Sequence, residues 1–414
     1  MSYTTDEVHF LLDHDAEITA VAGAITRDHA MTKATAVKDA ATFHKHFGAN
    51  GRAAMELCAS RTSAQGKLPH YWLMCHDSAQ QATPLAVAQQ RADRIHRVCG
   101  TEAIVHDVTC SIGTEGAAIT DFGMAYHGSD LDMSRLLMAR HNVPTGLFSQ
   151  ADALKRASTS NDVIIADPAR RSGGRRITKP DQLIPPLPQL VDHWRIATTT
   201  AAPMAIKCAP GLDFQEWDGL VSVVSVAGGV KEACLYTPEL SEGLTREAIM
   251  IGADHSVDIL NDHHDGEVPT GDPGTFIIDP DGAVVRAGLV QHYAAREQLW
   301  MLDEHIAYLT GDRIPQGRSG FRFIEVVGLK QLKSALVAHG AGSLEILVRG
   351  VDVDPDQLRK KLKLKGNTPM AVICTRIGRK GVALICHARE HSQKQEENAR
   401  CMLTISTSLC AALD

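Results

Sequence analysis

The chain has 414 residues, a formal net charge of −7, 44% apolar residues and 22% charged residues. That length allows two or three domains with an ample core, and the composition is that of an ordinary soluble protein. There is no overall basicity, no apolar run of membrane-spanning length and no secretory apolar segment. None of the ten cysteines forms a Cys-x-x-Cys pair, which argues against a zinc knuckle or a thioredoxin-like centre. The expectation is a cytoplasmic protein with reduced thiols, no metal site and no membrane partner.

Residues 1–100 hold many helix formers and no strong strand pattern, with helices expected near 33–47, 50–63 and 85–99. Thr83-Pro84 reads as a helix start, an N-cap hydroxyl followed by a proline that suits the first turn. Leu85, Val87, Ala92 and Ile95 then face a core. The aromatic and basic residues Phe43, His44, Lys45, His46, Arg52, Arg61, Lys67, Tyr71 and Trp72 are read first as core rings and a solvated face. Contact with a polynucleotide is the second reading.

From 101 onward the pattern becomes strand, turn, helix. An apolar run over 103–105 enters the turn Asp107-Val-Thr109-Cys110-Ser-Ile-Gly113-Thr-Glu115, and a helix-compatible segment follows over 116–120. Small residues let backbone approach a ligand, and free N–H groups at a helix start can receive its polar atoms. A second strand over 124–128 ends in Ser129-Asp130-Leu131-Asp132, and a carboxylate there can accept from both hydroxyls of a ribose. A helix over 133–142 leads to a third strand ending near Asp152. The buried strand 163–166 then ends in Asp167-Pro168-Ala169-Arg170-Arg171. Ligands of an open α/β sheet bind at that carboxyl edge. Arg170, Arg171, Arg175 and Arg176 put four guanidiniums in seven positions, read either as a phosphate-binding loop or as a solvated one. Further strands are expected at 204–208, 221–226, 232–236 and 247–251.

Phe276-Ile-Ile-Asp-Pro-Asp-Gly282 reads as a hairpin turn, a helix is expected over 289–302, and 311–320 is taken as a linker. Residues 321–389 then read strand, helix, strand, helix, strand, strand, with helices at 329–339 and 355–362. Residues 330–389 carry twelve Lys and Arg against four Asp and Glu, a net +8 that leaves −15 for the rest of the chain. Lys361, Lys363 and Lys365 lie in the densest part of it. Charge of this kind meets a phosphate backbone, or else simply suits a helix C-terminus.

The ordered series Asp107…Gly113, Asp130, Asp152, Asp167-Pro168-Ala169-Arg170 resembles the motifs of class I S-adenosylmethionine-dependent methyltransferases, and it lacks the three-glycine fingerprint of dinucleotide dehydrogenases. With its tail, over roughly residues 40–390, the chain resembles the bacterial methyltransferase family that carries a C-terminal THUMP-like domain. The resemblance implies an α/β fold: a Rossmann-like, seven-stranded, mainly parallel sheet with a late antiparallel strand. To this are added an N-terminal helical region over 1–100 and a small C-terminal α/β THUMP-like domain. The sheet domain spans 101–310, the THUMP-like RNA-binding domain 320–390, and a tail follows over 391–414.

The resemblance also assigns roles. S-adenosyl-L-methionine is the methyl donor. Its ribose goes to Asp130 (Asp132 being the alternative) and its adenine to Asp152. Its methionine end goes to Asp107, Thr109, Cys110 and Gly113, with Glu115 in reach. Asp167, Pro168, Ala169 and Arg170 stand where donor and acceptor meet, although Asp replaces the Asn of related Asn-Pro-Pro-Tyr loops and no aromatic follows to stack a base. Arg171, Arg175, Arg176, Lys361, Lys363 and Lys365 are the expected RNA contacts. Cys110 and Cys208 lack the sequence context of a covalent nucleophile. A methyltransferase of structured RNA is thus the first expectation. Methylation of a protein or small molecule, or a non-catalytic RNA-binding scaffold, are the competing ones.

Overall fold

A computed structural model of the chain describes residues 3–28, 31–32, 34–157, 162–169, 171–172, 175–176, 180–194, 202–263 and 265–392, with 171–172 and 175–176 described by backbone alone. Two compact units divide between Ile259 and Leu260.

The first unit opens with six helices, α1 (Thr5–Asp13), α2 (Asp15–Asp28), α3 (Ala36–Phe47), α4 (Gly51–Ser63), α5 (His76–Gln81) and α6 (Leu85–Cys99). Thr4 and Glu7 form a reciprocal capping box that starts α1. Phe43 and Trp72 are fully buried, as the core reading has it, whereas Tyr71 is exposed. Thr83 does not cap α6. Pro84 holds that position, and the Thr83 hydroxyl donates to Glu232 Oε2 at 3.1 Å. The helices are no separate layer, because their core includes Ile112 and Met138 from the sheet region. Asn142 ties the two together: it accepts from Leu73 N–H at 2.9 Å and donates to the Leu73 and Ile112 carbonyls.

The sheet follows, with β1 (Ile104–Asp107), α7 (Thr114–Asp121), β2 (Ala125–Asp130), α8 (Met133–Asn142), β3 (Leu147–Gln150) and β4 (Val163–Ala166). Next come the short pair β5 (Arg171–Ser172) and β6 (Arg175–Arg176), then α9 (Leu187–His193), β7 (Met204–Cys208), β8 (Leu220–Val226), β9 (Gly229–Tyr236), β10 (Arg246–Ile251) and β11 (Val257–Asn261). The strand order is β11-β10-β8-β9-β7-β4-β1-β2-β3, nine strands rather than the expected seven, because β10 and β11 extend the edge. β9 runs antiparallel to both neighbours, while β1, β2, β3, β4 and β7 are parallel. Strands buried on both faces read as continuous apolar runs, which is why Val163–Ala166 is fully buried. The order reverses between β1 and β4, so the crevice of this sheet lies at their carboxyl ends.

The second unit contains β12 (Phe276–Ile278), α10 (Gly282–Ala287), α11 (Val290–Glu297), β13 (Trp300–Asp303), β14 (Ile306–Gly311) and β15 (Ser319–Gly328). It continues with α12 (Leu332–Ala338), β16 (Ala341–Val348), α13 (Pro355–Leu362), β17 (Thr368–Ile377), β18 (Lys380–His387) and β19 (Glu390–His391). Residues 276–311, read from sequence with the first sheet, pair here instead: β12 lies between β14 and β15. The expected hairpin at 279–282 is a helix start, because Asp281 accepts the Ala283 N–H at 2.8 Å. The expected helix over 289–302 stops at Glu297, where Gln298 turns left-handed and β13 begins. The strand–helix alternation after 319 follows the sequence closely, and α13 spans 355–362 as read.

Candidate active site

The β1–α7 turn is stapled to both neighbouring strands. Val108 N–H donates to the Ile165 carbonyl, Cys110 N–H to the Ser129 carbonyl, and Ser111 N–H to Asp130 Oδ2 at 3.0 Å. Asp167 N–H donates to the Thr109 hydroxyl at 2.6 Å. Gly113 closes the turn at φ +88, and a Cβ there would stand 2.9 Å from Val143, so conformation and packing both require glycine.

Four acids mark the ends of the first four strands. Asp107 is buried; its Oδ1 accepts Thr109 N–H at 3.0 Å and its Oδ2 accepts the Tyr126 hydroxyl at 3.2 Å. Burial, and then the charge of Glu115, push its carboxyl from the usual 3.8 up to about 7, against the pull of Lys207. Asp130 bridges Ser111 N–H and Asp132 N–H, and Asp132 caps α8 through Ser134 and Arg135 N–H. Leu131 and Met133 beside them are exposed apolar side chains. Asp152, half-buried, accepts Leu154 N–H at 2.9 Å, and Ala151 N–H joins that loop to the Asp130 carbonyl. Asp167 follows β4. Pro168 behind it is buried, and the exposed Ala169 exchanges two backbone hydrogen bonds with Ile184.

Two of the expected donor contacts face inward instead. Cys110 is buried, with its side chain packed against Gly128, and burial raises its thiol well above the usual range. Glu115 is also buried, in an ion cluster that sequence reading missed. Arg91 on α6 donates from Nε and Nη2 to Glu115 at 3.0 and 3.1 Å and from Nη2 to Glu232 at 2.6 Å. Lys207 Nζ on β7 lies 3.4 Å from Glu115 and 3.0 Å from Asp167. Burial alone would raise the Glu115 carboxyl, but Arg91 and Lys207 more than offset this and hold it at about 2. Lys207 moves the other way, since its carboxylate neighbours outweigh burial and keep it above the usual ammonium range. Two signals for the cluster stood in the sequence: a lysine inside the otherwise apolar Met204–Cys208, and an arginine on the core face shared by Ala88, Ala92 and Ile95.

The remaining expected residues are not brought to this edge by anything described. Arg170 lies outside the described residues, as do the side chains of Arg171, Arg175 and Arg176, whose backbones form the β5–β6 hairpin. Lys361, Lys363 and Lys365 belong to the second unit and are exposed at and beyond the end of α13, with Lys363 turning left-handed as its C-cap. Among the described residues no helix is long and apolar enough to cross a membrane.

The order β3-β2-β1-β4-β7, followed by an antiparallel strand and its partner, is the architecture of class I S-adenosylmethionine-dependent methyltransferases. Residues 319–388 match the family described as THUMP domain-like. Over 353 residues the chain is 41% identical to an uncharacterized S-adenosylmethionine-dependent methyltransferase of Mycobacterium tuberculosis, found alike in two strains, covering 80% of this chain and 94% of that relative. The chain belongs to this family of S-adenosylmethionine-dependent methyltransferases. A crystal structure from Porphyromonas gingivalis assigned as a methyltransferase shares the fold at TM-score 0.62 and 16% identity, over 82% of this chain and 90% of that one.

Proposed function

We propose that the enzyme methylates structured RNA in the cytoplasm, with donor and acceptor meeting above the carboxyl ends of β1 and β4. Asp130 takes the ribose hydroxyls and the exposed Leu131 supplies an apolar flank. Asp152 accepts from the adenine amine, and the turn from Asp107 to Gly113 takes the methionine end. The fit is electrostatic: carboxylates at four successive strand ends suit a ligand that carries a sulfonium, an ammonium and hydroxyl donors. When bound, S-adenosylmethionine supplies a methyl carbon on a positively charged sulfur that departs with the bonding pair as the acceptor's lone pair forms the new bond. Asp167 accepts a hydrogen bond from the acceptor's N–H and orients it, as a carboxylate can accept but not donate.

The observation that carries the RNA assignment is the exposed row Lys360, Lys361, Lys363 and Lys365 at the end of α13, within the stretch matched as THUMP domain-like. A cationic surface of this kind meets the phosphates of a polynucleotide. The test is tritium transfer from labelled donor to RNA from cells lacking the enzyme, followed by nucleoside analysis. Label in a methylated nucleoside is expected; label confined to protein or small molecules refutes the RNA reading.

A further inference from the structure

We propose that Lys207 is a positioning residue for methyl transfer, its ammonium fixing the Asp167 carboxylate toward the acceptor. The inference rests on the acceptor role given to Asp167 above. Lys207 sits on β7, directly beside β4, and its side chain is only 8% exposed. Its shorter contact is to Asp167 Oδ2 at 3.0 Å, and its longer one is to Glu115 at 3.4 Å. Glu115 has a second cation besides that lysine, because Arg91 grips both of its oxygens. A buried ammonium is costly and is held only where good partners surround it, and an apolar residue would otherwise fill a strand of this kind.

The geometry explains what the ammonium does there. Asp167 is the cluster's outlet to solvent: its side chain is 27% exposed, whereas those of Glu115, Glu232 and Arg91 are at most 4%. Behind Lys207 the ions continue inward through Glu115 and Arg91 to Glu232, where the Thr83 hydroxyl ends the chain. Lys207 is thereby held from behind by Glu115 on α7, which Arg91 on α6 fixes in turn, and stays buried beside Asp167. The main chain of Asp167 is pinned independently, by its N–H to the Thr109 hydroxyl in the donor turn. With its backbone held from the β1–α7 turn and its Oδ2 held from β7, Asp167 is restricted in how it can face an acceptor.

A double-mutant cycle on the full-length enzyme separates positioning from mere packing. Tritium transfer from labelled donor to a whole extract of cells lacking the gene gives turnover whatever the acceptor class, and calorimetry gives donor affinity. Lys207→Met is expected to cut turnover about 10²-fold with donor affinity within about twofold, and to change turnover less than about threefold in an Asp167→Asn background. Equal fold-losses in both backgrounds, or full turnover in Lys207→Met, would overturn the proposal. If Lys207→Met does not fold, Lys207→Met with Glu115→Gln removes one charge of each sign and carries the same comparison. Asp167→Asn at wild-type turnover would instead refute the acceptor role of Asp167 itself, so the two failures are distinguishable.

Discussion

Replacing Asp107 with Asn should stabilise the protein at neutral and higher pH and do so progressively less as pH falls. The native carboxyl holds its proton up to about 7, whereas the unfolded chain releases it near 3.8. A group raised in this way contributes stability that is complete below the unfolded value and is lost as pH rises through the folded one. At 1.36 kcal/mol per unit, the full loss approaches about 4 kcal/mol, and the part falling between about pH 5 and pH 8 is about 2.5 kcal/mol. Asn keeps an oxygen for the Thr109 N–H and an amide that can donate to the Tyr126 oxygen, so the contacts survive while the buried charge does not.

The wild-type curve alone would hide this effect. His106, pushed from 6.5 to about 3 by burial and by the stacked His127, titrates oppositely over the same range, since the unfolded chain takes up its proton first. The difference between Asp107→Asn and wild type isolates Asp107. Urea unfolding followed by tryptophan fluorescence reads it, because Trp72 and Trp194 are buried in the first unit. A stability difference that does not grow from about pH 5 to about pH 8, or that grows in favour of wild type, refutes the account of a buried carboxyl that resists ionisation.

Asp130→Ala should weaken donor binding by about 1.5–3 kcal/mol, the loss expected for charge-assisted hydrogen bonds to two hydroxyls. Unchanged affinity in calorimetry with the fold intact moves that role to Asp132 or removes the donor assignment altogether. Changing Lys361, Lys363 and Lys365 to Gln should leave donor affinity unaltered while lowering the salt slope of RNA binding by roughly 0.7–0.9 per lost phosphate contact. An unchanged slope leaves those lysines as helix-end cations, worth at most about 1 kcal/mol to α13.

β4 was legible because it is an apolar run followed by an acid, the pattern that burial on both faces of a parallel sheet writes directly, whereas Ala125–Asp130 and Leu147–Gln150 hold no such run and were read from the turns and acids around them. α13 was legible to the residue, since Asp354 caps it and Pro355 begins it. The same local grammar misled at Asp279-Pro-Asp281-Gly282, where a turn and an N-cap ask for identical residues and only the strands pairing with β12 decide between them. Glu115 was misplaced for a different reason. Its position at the start of α7 is visible in the sequence, but its partners lie 24 residues earlier at Arg91 and far downstream at Lys207. Sequence shows which acids reach a sheet edge; which of them turn inward depends on cations supplied by other elements.

Those cations give the two acids of a single turn opposite behaviour. Glu115, facing Arg91 and Lys207, is held at about 2, whereas Asp107, raised by burial and by the charge of Glu115 against the pull of Lys207 and its two hydrogen-bond donors, stands at about 7. Divergent neighbours of this kind mark groups with different tasks. On the proposed binding mode the donor's ammonium comes to Asp107. A cation placed beside a carboxyl favours its ionised form, so binding should drive off the proton that Asp107 holds. Near pH 7, where about half of Asp107 is protonated, donor binding should release up to about 0.5 proton, and affinity should rise with pH through that range. Calorimetry in buffers of different ionisation enthalpy measures the release, and Asp107→Asn should abolish it. A binding enthalpy that is the same in every buffer, or a release that persists in Asp107→Asn, means that the donor's positive end does not meet Asp107.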